Sequence, residues 1–212
     1  DKDTSRGLGD VYKRQPLIFQ SEIPLEDKWL DYVKSLMYDR TVGDTNYISR
    51  DRNIFEQPEL HDLRDKIEEQ IKFYAYQYLK VQQYVNIEVV RSWGVYHRPS
   101  DWAAKHCHSN SIFSGIYYLD VDQYSGDLLI DKGQHANNCF IPTLTPDVTH
   151  FNQFTQQNWR LKPENGMLVA FPSQVIHEVE ANRSVIDRYC VAFDVFIRGR
   201  FGDMAGSDVT IK

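Results

Sequence analysis

Two histidines separated by one residue, His106 and His108, are the pattern in this sequence that points most directly to metal chemistry. In an extended segment, residues i and i+2 lie on the same side, so the two imidazoles converge without a special turn. Imidazole is a common ligand of divalent transition metals. The pair alone is a weak signal, because short polar segments also contain two histidines by chance.

Two later residues could complete a site of this kind. His177 follows an apolar run, and a lone histidine in that position is more often a packed or rim residue than a ligand. Arg188 begins a second apolar run, and an arginine that faces inward there needs an anionic partner, because burying an unpaired charge is prohibitive. Arg188 is therefore either a surface residue at a strand end or a bidentate clamp for a bound carboxylate.

The elements that must position these residues begin with two predicted helices. The first, over 24–38, is indicated by apolar residues that share one face: Leu25, Trp29, Val33 and Leu36. The polar composition of residues 39–58 predicts a loop. The second helix has about five turns and carries apolar residues at steps of three and four: Leu60, Leu63, Ile67, Ile71, Tyr74 and Tyr78.

From Val85 onward the helical spacing gives way to short β-branched and aromatic runs separated by turn signals. The predicted strands cover 85–89, 111–119, 127–130, 167–171, 176–179 and 188–197. Helices followed by many short strands indicate an α+β, mainly β chain whose larger part is a sandwich or jelly roll. We expect one domain over 16–201, with helical support in 16–84 and the β core in 85–201.

The two ends of the chain differ from this domain. Residues 1–15 contain no methionine and no apolar run, and we expect them to be a non-native or disordered leader. Residues 202–212 are small and polar, and we expect this tail to fray.

Composition narrows the class of partner. The 212 residues carry a net charge of −6, which disfavours nucleic acid, and no apolar run approaches the roughly 18 residues of a membrane span. The three cysteines (Cys107, Cys139 and Cys190) form no CxxC pair and resemble the free thiols of a reducing compartment, which predicts a cytoplasmic protein. The sequence carries no signal of oligomeric state.

In their order along the chain, these motifs resemble the Fe(II)/2-oxoglutarate-dependent oxygenases, most closely their prolyl-hydroxylase-like branch and its relatives in phages and marine bacteria. The resemblance runs from about Val85 to Phe196. It includes His-Cys-His, Ser-Gly-Ile-Tyr-Tyr-Leu-Asp, Ser-Gly-Asp-Leu, Gly-Met-Leu-Val-Ala-Phe-Pro, His-Glu-Val and Arg-Tyr-Cys-Val-Ala-Phe. The resemblance implies a double-stranded β-helix core braced by N-terminal helices.

The same resemblance implies the site and its reaction. His106 and His177 match two iron ligands, while Arg188 and Tyr118 match the residues that bind the distal carboxylate of 2-oxoglutarate. Fe(II) is then the metal and 2-oxoglutarate the cosubstrate, which is decarboxylated to succinate and CO₂ while a C–H bond of a small-molecule or peptide substrate is hydroxylated. The identity of that substrate is open. Two alternatives are a non-catalytic cupin or jelly-roll binding module and a three-histidine dioxygenase that does not use 2-oxoglutarate.

One position departs from the family. His108 stands where the family usually has Asp or Glu, which keeps a nitrogen donor but raises the charge of the site by one. Three interpretations are open: a working site of His106, His108 and His177, a carboxylate supplied by Asp127 or Asp131, or a protein that is no longer an enzyme. For the remaining histidines we expect structural or solvated roles: His61, His97, His135 and His150.

Overall fold

The computed structural model describes residues 18–43, 45–131, 149, 158–202 and 209–211. The leader predicted over 1–15 lies outside these ranges, as do His135, Cys139 and His150. Cys107 and Cys190 are free thiols, the first exposed and the second buried. No helix within the described ranges is long and apolar enough to cross a membrane.

Two antiparallel sheets face each other and confirm the predicted jelly roll. The larger sheet has the strand order β1-β9-β6-β11-β4-β3-β2, with β12 paired to β11, and the smaller one has the order β5-β10-β7-β8. The strands are β1 (Phe19–Glu22), β2 (Tyr38–Arg40), β3 (Tyr47–Ser49), β4 (Asn86–His97), β5 (Ala103–His106), β6 (Phe113–Asp120), β7 (Leu128–Asp131), β8 (Asn158–Leu161), β9 (Met167–Pro172), β10 (His177–Val179), β11 (Arg188–Phe201) and β12 (Val209–Ile211).

The two predicted helices are present and brace the larger sheet. Helix α1 (Asp27–Ser35) buries Trp29 and Val33, and α2 (His61–Phe73) continues into a π-helical turn over Tyr74–Tyr78. Their apolar faces share one hydrophobic cluster with the outer faces of β6, β9 and β11. The strands alternate, so one set of side chains meets the helices and the other set faces the smaller sheet.

Three differences from the sequence expectations concern short strands. Residues 39–58 were expected to be a loop, but β2 and β3 pair there and extend the larger sheet at its edge. β1, β5 and β8 were not expected, and β12 occupies part of the tail that was expected to fray. These strands have three or four residues each, which is too short for an alternating pattern to stand out from the surrounding polar sequence.

The inner face of the larger sheet is built from rows of residues that are cross-strand neighbours on β4, β11 and β6. Because side chains alternate, every second residue of β11 from its first position joins this face. The four rows run from one end of the barrel to the other: His97 and Arg188; Val95, Cys190 and Tyr118; Trp93, Ala192 and Ile116; Arg91, Asp194 and Ser114.

We predict that Gly115→Ala destabilises the fold. Gly115 is the third residue of β6, where a Cβ atom would overlap the ring of Phe193 and lie 2.8 Å from the carbonyl oxygen of Val169. Overpacking of a dense core costs about 1–3 kcal/mol, and urea unfolding should show a loss of this size. The double variant with Phe193→Leu should recover part of the loss. An unchanged unfolding midpoint for Gly115→Ala would contradict this description of the core.

Candidate metal centre and cosubstrate pocket

Three histidines converge at the end of the smaller sheet. His106 ends β5 and His177 begins β10, where the two residues are paired across the strands. His108 follows two residues after β5, and its amide N–H donates to the carbonyl of Ser173 at 2.9 Å. The candidate ligand atoms of the three side chains all lie within 4.8 Å of one another. The His-x-His pair and the distal histidine therefore meet at one point.

The hydrogen bonds of these rings leave the same nitrogen free in each. The Nδ1 atom of His106 lies 2.7 Å from the carbonyl oxygen of Ala104, and that of His177 lies 3.0 Å from the carbonyl oxygen of Val175. The Nδ1 atom of His108 lies 2.7 Å from Oδ1 of Asp194. Because an oxygen of these types only accepts, each Nδ1 donates, and a neutral ring then has its lone pair on Nε2. This tautomer leaves Nε2 of each ring available to a metal, while the donor at Nδ1 fixes the orientation of the ring.

Burial keeps His177 in the neutral form. Only 3% of this residue is exposed. Burial and, after it, the adjacent His106 ring lower the pKa of His177 to about 3. At neutral pH its Nε2 lone pair is therefore available to a metal without competition from a proton.

The two carboxylates considered as substitutes for His108 are engaged elsewhere. Oδ2 of Asp127 accepts a hydrogen bond from Arg160 at 3.0 Å, and Asp131 lies 3.9 Å from the amine of Lys105. Within the described ranges the cluster of candidate ligands consists of three histidines and contains no carboxylate.

The immediate surroundings of His108 include a residue that the sequence analysis missed, Asp194 on β11. It is 1% exposed, and its Oδ1 accepts hydrogen bonds from Nδ1 of His108 and from Oγ of Ser114, each at 2.7 Å. Its Oδ2 accepts from Nε of Arg91 at 2.9 Å and from Nη2 of the same guanidinium. Burial alone would raise the pKa of Asp194, but the hydrogen bonds from His108, Ser114 and Arg91 hold it below its ordinary value. A lone acidic residue within an apolar strand was the available signal.

Stacking fixes the plane of the His108 ring. The indole of Trp93 lies 5.8 Å from the His108 ring, centroid to centroid, at an interplanar angle of 27°. The guanidinium of Arg91 in turn lies over the indole of Trp93, with its carbon 5.2 Å from the ring centroid. The orientation of His108 is thus determined by packing on its face and by a hydrogen bond at Nδ1.

At the other end of the inner face, Arg188 is buried with unused donors. Its Nη1 donates to the carbonyl oxygens of Ser125 and Gly126, at 3.2 and 3.0 Å. Its Nε and Nη2 have no partner among the described residues, and neither does the hydroxyl of Tyr118, whose ring lies 5.2 Å from the guanidinium carbon. A buried guanidinium is costly without an anion, so these donors fit a bound carboxylate.

His97 also belongs to this end of the pocket, although a structural or solvated role was expected for it. It is the cross-strand neighbour of Arg188, it is 1% exposed, and both its ring nitrogens lack partners among the described residues. A cavity of about 540 Å³ has His97 and Arg188 in one part of its wall and the three converging histidines in another. Tyr118 contacts Arg188 but is not part of this wall.

The comparisons with known proteins agree with this fold. A family model described as "Putative 2OG-Fe(II) oxygenase" matches residues 91–194. Similar solved structures include the non-heme alpha ketoglutarate dependent epimerase SnoN from nogalamycin biosynthesis, with 12% identity, coverage of 95% of this chain and 87% of that chain, and a TM-score of 0.64. A search of curated protein sequences finds no match.

Two further structures have comparable similarity. A prolyl-4-hydroxylase from Pseudomonas putida has 14% identity, coverage of 87% of this chain and 94% of that chain, and a TM-score of 0.54. HygX from Streptomyces hygroscopicus, with nickel and 2-oxoglutarate bound, has 9% identity, coverage of 86% and 83%, and a TM-score of 0.58. At these identities the similarity shows the fold.

The family match over residues 91–194, the fold and the histidine cluster together support membership of the 2-oxoglutarate/Fe(II) oxygenase superfamily. Its cofactors are Fe(II) and 2-oxoglutarate. The residues present fit both groups, because three imidazole nitrogens face one point and a buried arginine has unused donors facing the same cavity.

We predict that His97 makes the protein sensitive to acid. Burial and then the charge of Arg188 lower the pKa of His97 well below its ordinary value, so in the unfolded chain it takes up a proton at a higher pH than in the folded one. The resulting stability is fully present above about pH 6.5 and is lost as the pH falls below that value. His97→Gln should make this loss shallower, by up to about 1.4 kcal/mol per pH unit, in urea unfolding of the metal-free protein. Parallel pH curves for the two proteins would contradict this prediction.

Proposed function

We propose that this protein is an Fe(II)- and 2-oxoglutarate-dependent dioxygenase that hydroxylates a C–H bond of a small-molecule or peptide substrate. One observation carries the proposal: three imidazoles, each held at Nδ1 by an oxygen acceptor and with ligand atoms within 4.8 Å of one another, line a cavity that also contains a buried arginine with unused donors. Bound iron and 2-oxoglutarate supply O₂-dependent oxidation, with succinate and CO₂ as the products of the cosubstrate.

The residues of the chain take distinct roles in this proposal. His106, His108 and His177 hold the metal through Nε2, and three protein ligands leave positions for the cosubstrate and O₂. Arg188 holds the distal carboxylate of 2-oxoglutarate through Nε and Nη2. Tyr118 supports this contact through its ring, which lies 5.2 Å from the guanidinium carbon, and because burial raises the pKa of its hydroxyl, that hydroxyl remains a donor.

Arg188 also favours this function over the two alternatives. A three-histidine dioxygenase that does not use 2-oxoglutarate has no need for a second anion site in the cavity, and a binding module has no need for three free Nε2 atoms. The similar structures catalyse more than one outcome, since one is an epimerase and another a prolyl-4-hydroxylase. The motif order of the sequence resembles the prolyl-hydroxylase-like branch, and for this reason the proposal commits to hydroxylation.

Removal of a metal ligand should abolish turnover. With Fe(II), 2-oxoglutarate and O₂, the wild-type protein should release succinate slowly without substrate, and His177→Ala should reduce the rate at least 100-fold, because one of three protein ligands is lost. His61→Ala changes a half-buried histidine at the start of α2, which is not part of the cavity wall, and serves as the control. Equal rates for wild type and His177→Ala would contradict the proposal.

Arg188 should determine cosubstrate affinity and not metal affinity. Arg188→Ala should weaken 2-oxoglutarate binding by about 2–5 kcal/mol while Fe(II) affinity stays within a factor of two or so, because only a charge-assisted contact is removed. The visible charge-transfer band of the anaerobic complex measures both affinities. Arg188→Lys keeps the charge without the bidentate geometry and should give an intermediate loss.

Arg160→Ala is the matched control for Arg188. Arg160 is a half-exposed arginine on β8 that pairs with Asp127 and Glu180, and its removal should leave both affinities unchanged. If Arg188→Ala weakened Fe(II) and 2-oxoglutarate equally, the assigned role would be wrong.

A further inference from the structure

The three-histidine site differs in charge from a site with a carboxylate ligand. A carboxylate at position 108, as is usual in this family, would bring one negative charge to the metal, whereas the imidazole of His108 brings none. Among the described residues, the carboxylate that contacts this ring is Asp194, through the 2.7 Å hydrogen bond to Nδ1. The negative charge is therefore still present at the site, but one residue further from the metal.

The position of Asp194 is set by three adjacent strands. On β11 it is the cross-strand neighbour of Arg91 on β4 and of Ser114 on β6, and both of these residues donate to it. Its side chain is 2% exposed, so the carboxylate has little freedom to rotate and little water around it. In such surroundings a charge acts on its neighbours more strongly than at a solvated surface.

We propose that Asp194 and His108 act as one anionic ligand unit, in which Asp194 orients the imidazole, holds its proton on Nδ1 and supplies the negative charge that the family's usual carboxylate ligand would bring. This inference rests on the proposed function, since it requires His108 to bind iron. Asp194 is a positioning residue: it acts through His108 and does not contact the metal. A carboxylate hydrogen-bonded to a ligating histidine raises the basicity of that ligand.

If Asp194 had only a structural role, it would not need to contact His108. Arg91 already provides Asp194 with a two-point ion pair, and Ser114 provides a third hydrogen bond. His108 is also held independently by the stacked ring of Trp93. The added hydrogen bond between Asp194 and His108 determines which nitrogen of the ring is free, and that choice has a consequence only if a ligand binds at Nε2.

Asp194→Asn tests the charge with little change in shape. An amide cannot accept from His108, Ser114 and Arg91 together, and it carries no negative charge. Anaerobic titration should show Fe(II) affinity reduced about 10–100-fold. The midpoint potential of the bound iron should rise, because a lost negative charge favours the reduced form. A merely structural residue would leave the potential of the iron that still binds unchanged.

A second substitution at the ligand itself separates the two roles. His108→Asp places the family's usual carboxylate on the metal, so the charge of Asp194 is no longer needed there. The double variant His108→Asp/Asp194→Asn should therefore bind Fe(II) more tightly than Asp194→Asn alone, and Asp194→Asn should cost only a few-fold in this background. The proposal would be overturned if Asp194→Asn reduced Fe(II) affinity by the same factor in the wild-type and His108→Asp backgrounds. It would also be overturned if the substitution changed the affinity in neither background.

Asp101→Asn provides the control for general loss of a buried carboxylate. Asp101 is 5% exposed and pairs with Arg98, but it is not part of the cavity wall. This variant should lose stability and retain the wild-type Fe(II) affinity and potential. Failure of the proposed function would look different, because the wild-type protein itself would then bind no Fe(II) at the three histidines. An Asp194→Asn variant with wild-type affinity and potential would contradict only the inference.

Discussion

The site depends on the fixed direction of three imidazole rings. Each ring is tied at Nδ1 to an oxygen that can only accept, so the free lone pair of each neutral ring is on Nε2, on the side where the three side chains meet. Two of these oxygens are backbone carbonyls two residues before the histidine, and they are therefore supplied by local chain geometry. The third is a side-chain carboxylate from another sheet. The metal centre thus joins the smaller sheet, which carries two of the histidines, to the larger sheet.

Two rows on the inner face of the larger sheet differ in how their charged side chains are paired. The row with Arg188 and His97 leaves donors unused inside the cavity, whereas the row with Asp194 and Arg91 has its charges paired. Arg188 and Asp194 are six residue steps apart on one extended strand, which corresponds to about 20 Å of chain. A single strand, β11, therefore carries the proposed cosubstrate clamp at its first residue and the proposed support of a metal ligand near its middle.

Much of this arrangement follows from the sequence, because its signals are local. The 3.6-residue spacing of Leu63, Ile67 and Ile71 predicts α2, and the order of the histidine and arginine motifs predicts the family. Asp194 and His97 were missed because their importance comes from cross-strand neighbours that lie at least 80 residues away in the chain. The short strands β2 and β3 were missed because the pairing of β3 with β4, and of β2 with β3, supplies what their own sequences lack.

The central claim is that one Fe(II) ion is held by Nε2 of His106, His108 and His177. An anaerobic crystal structure with Fe(II) and 2-oxoglutarate tests it most directly. The account predicts iron roughly 2.0–2.3 Å from all three Nε2 atoms, with the hydrogen bond between Asp194 and His108 retained and the distal carboxylate at Arg188. Iron bound by only two of the histidines together with a carboxylate of the protein, or with His108 turned away from it, would contradict the account.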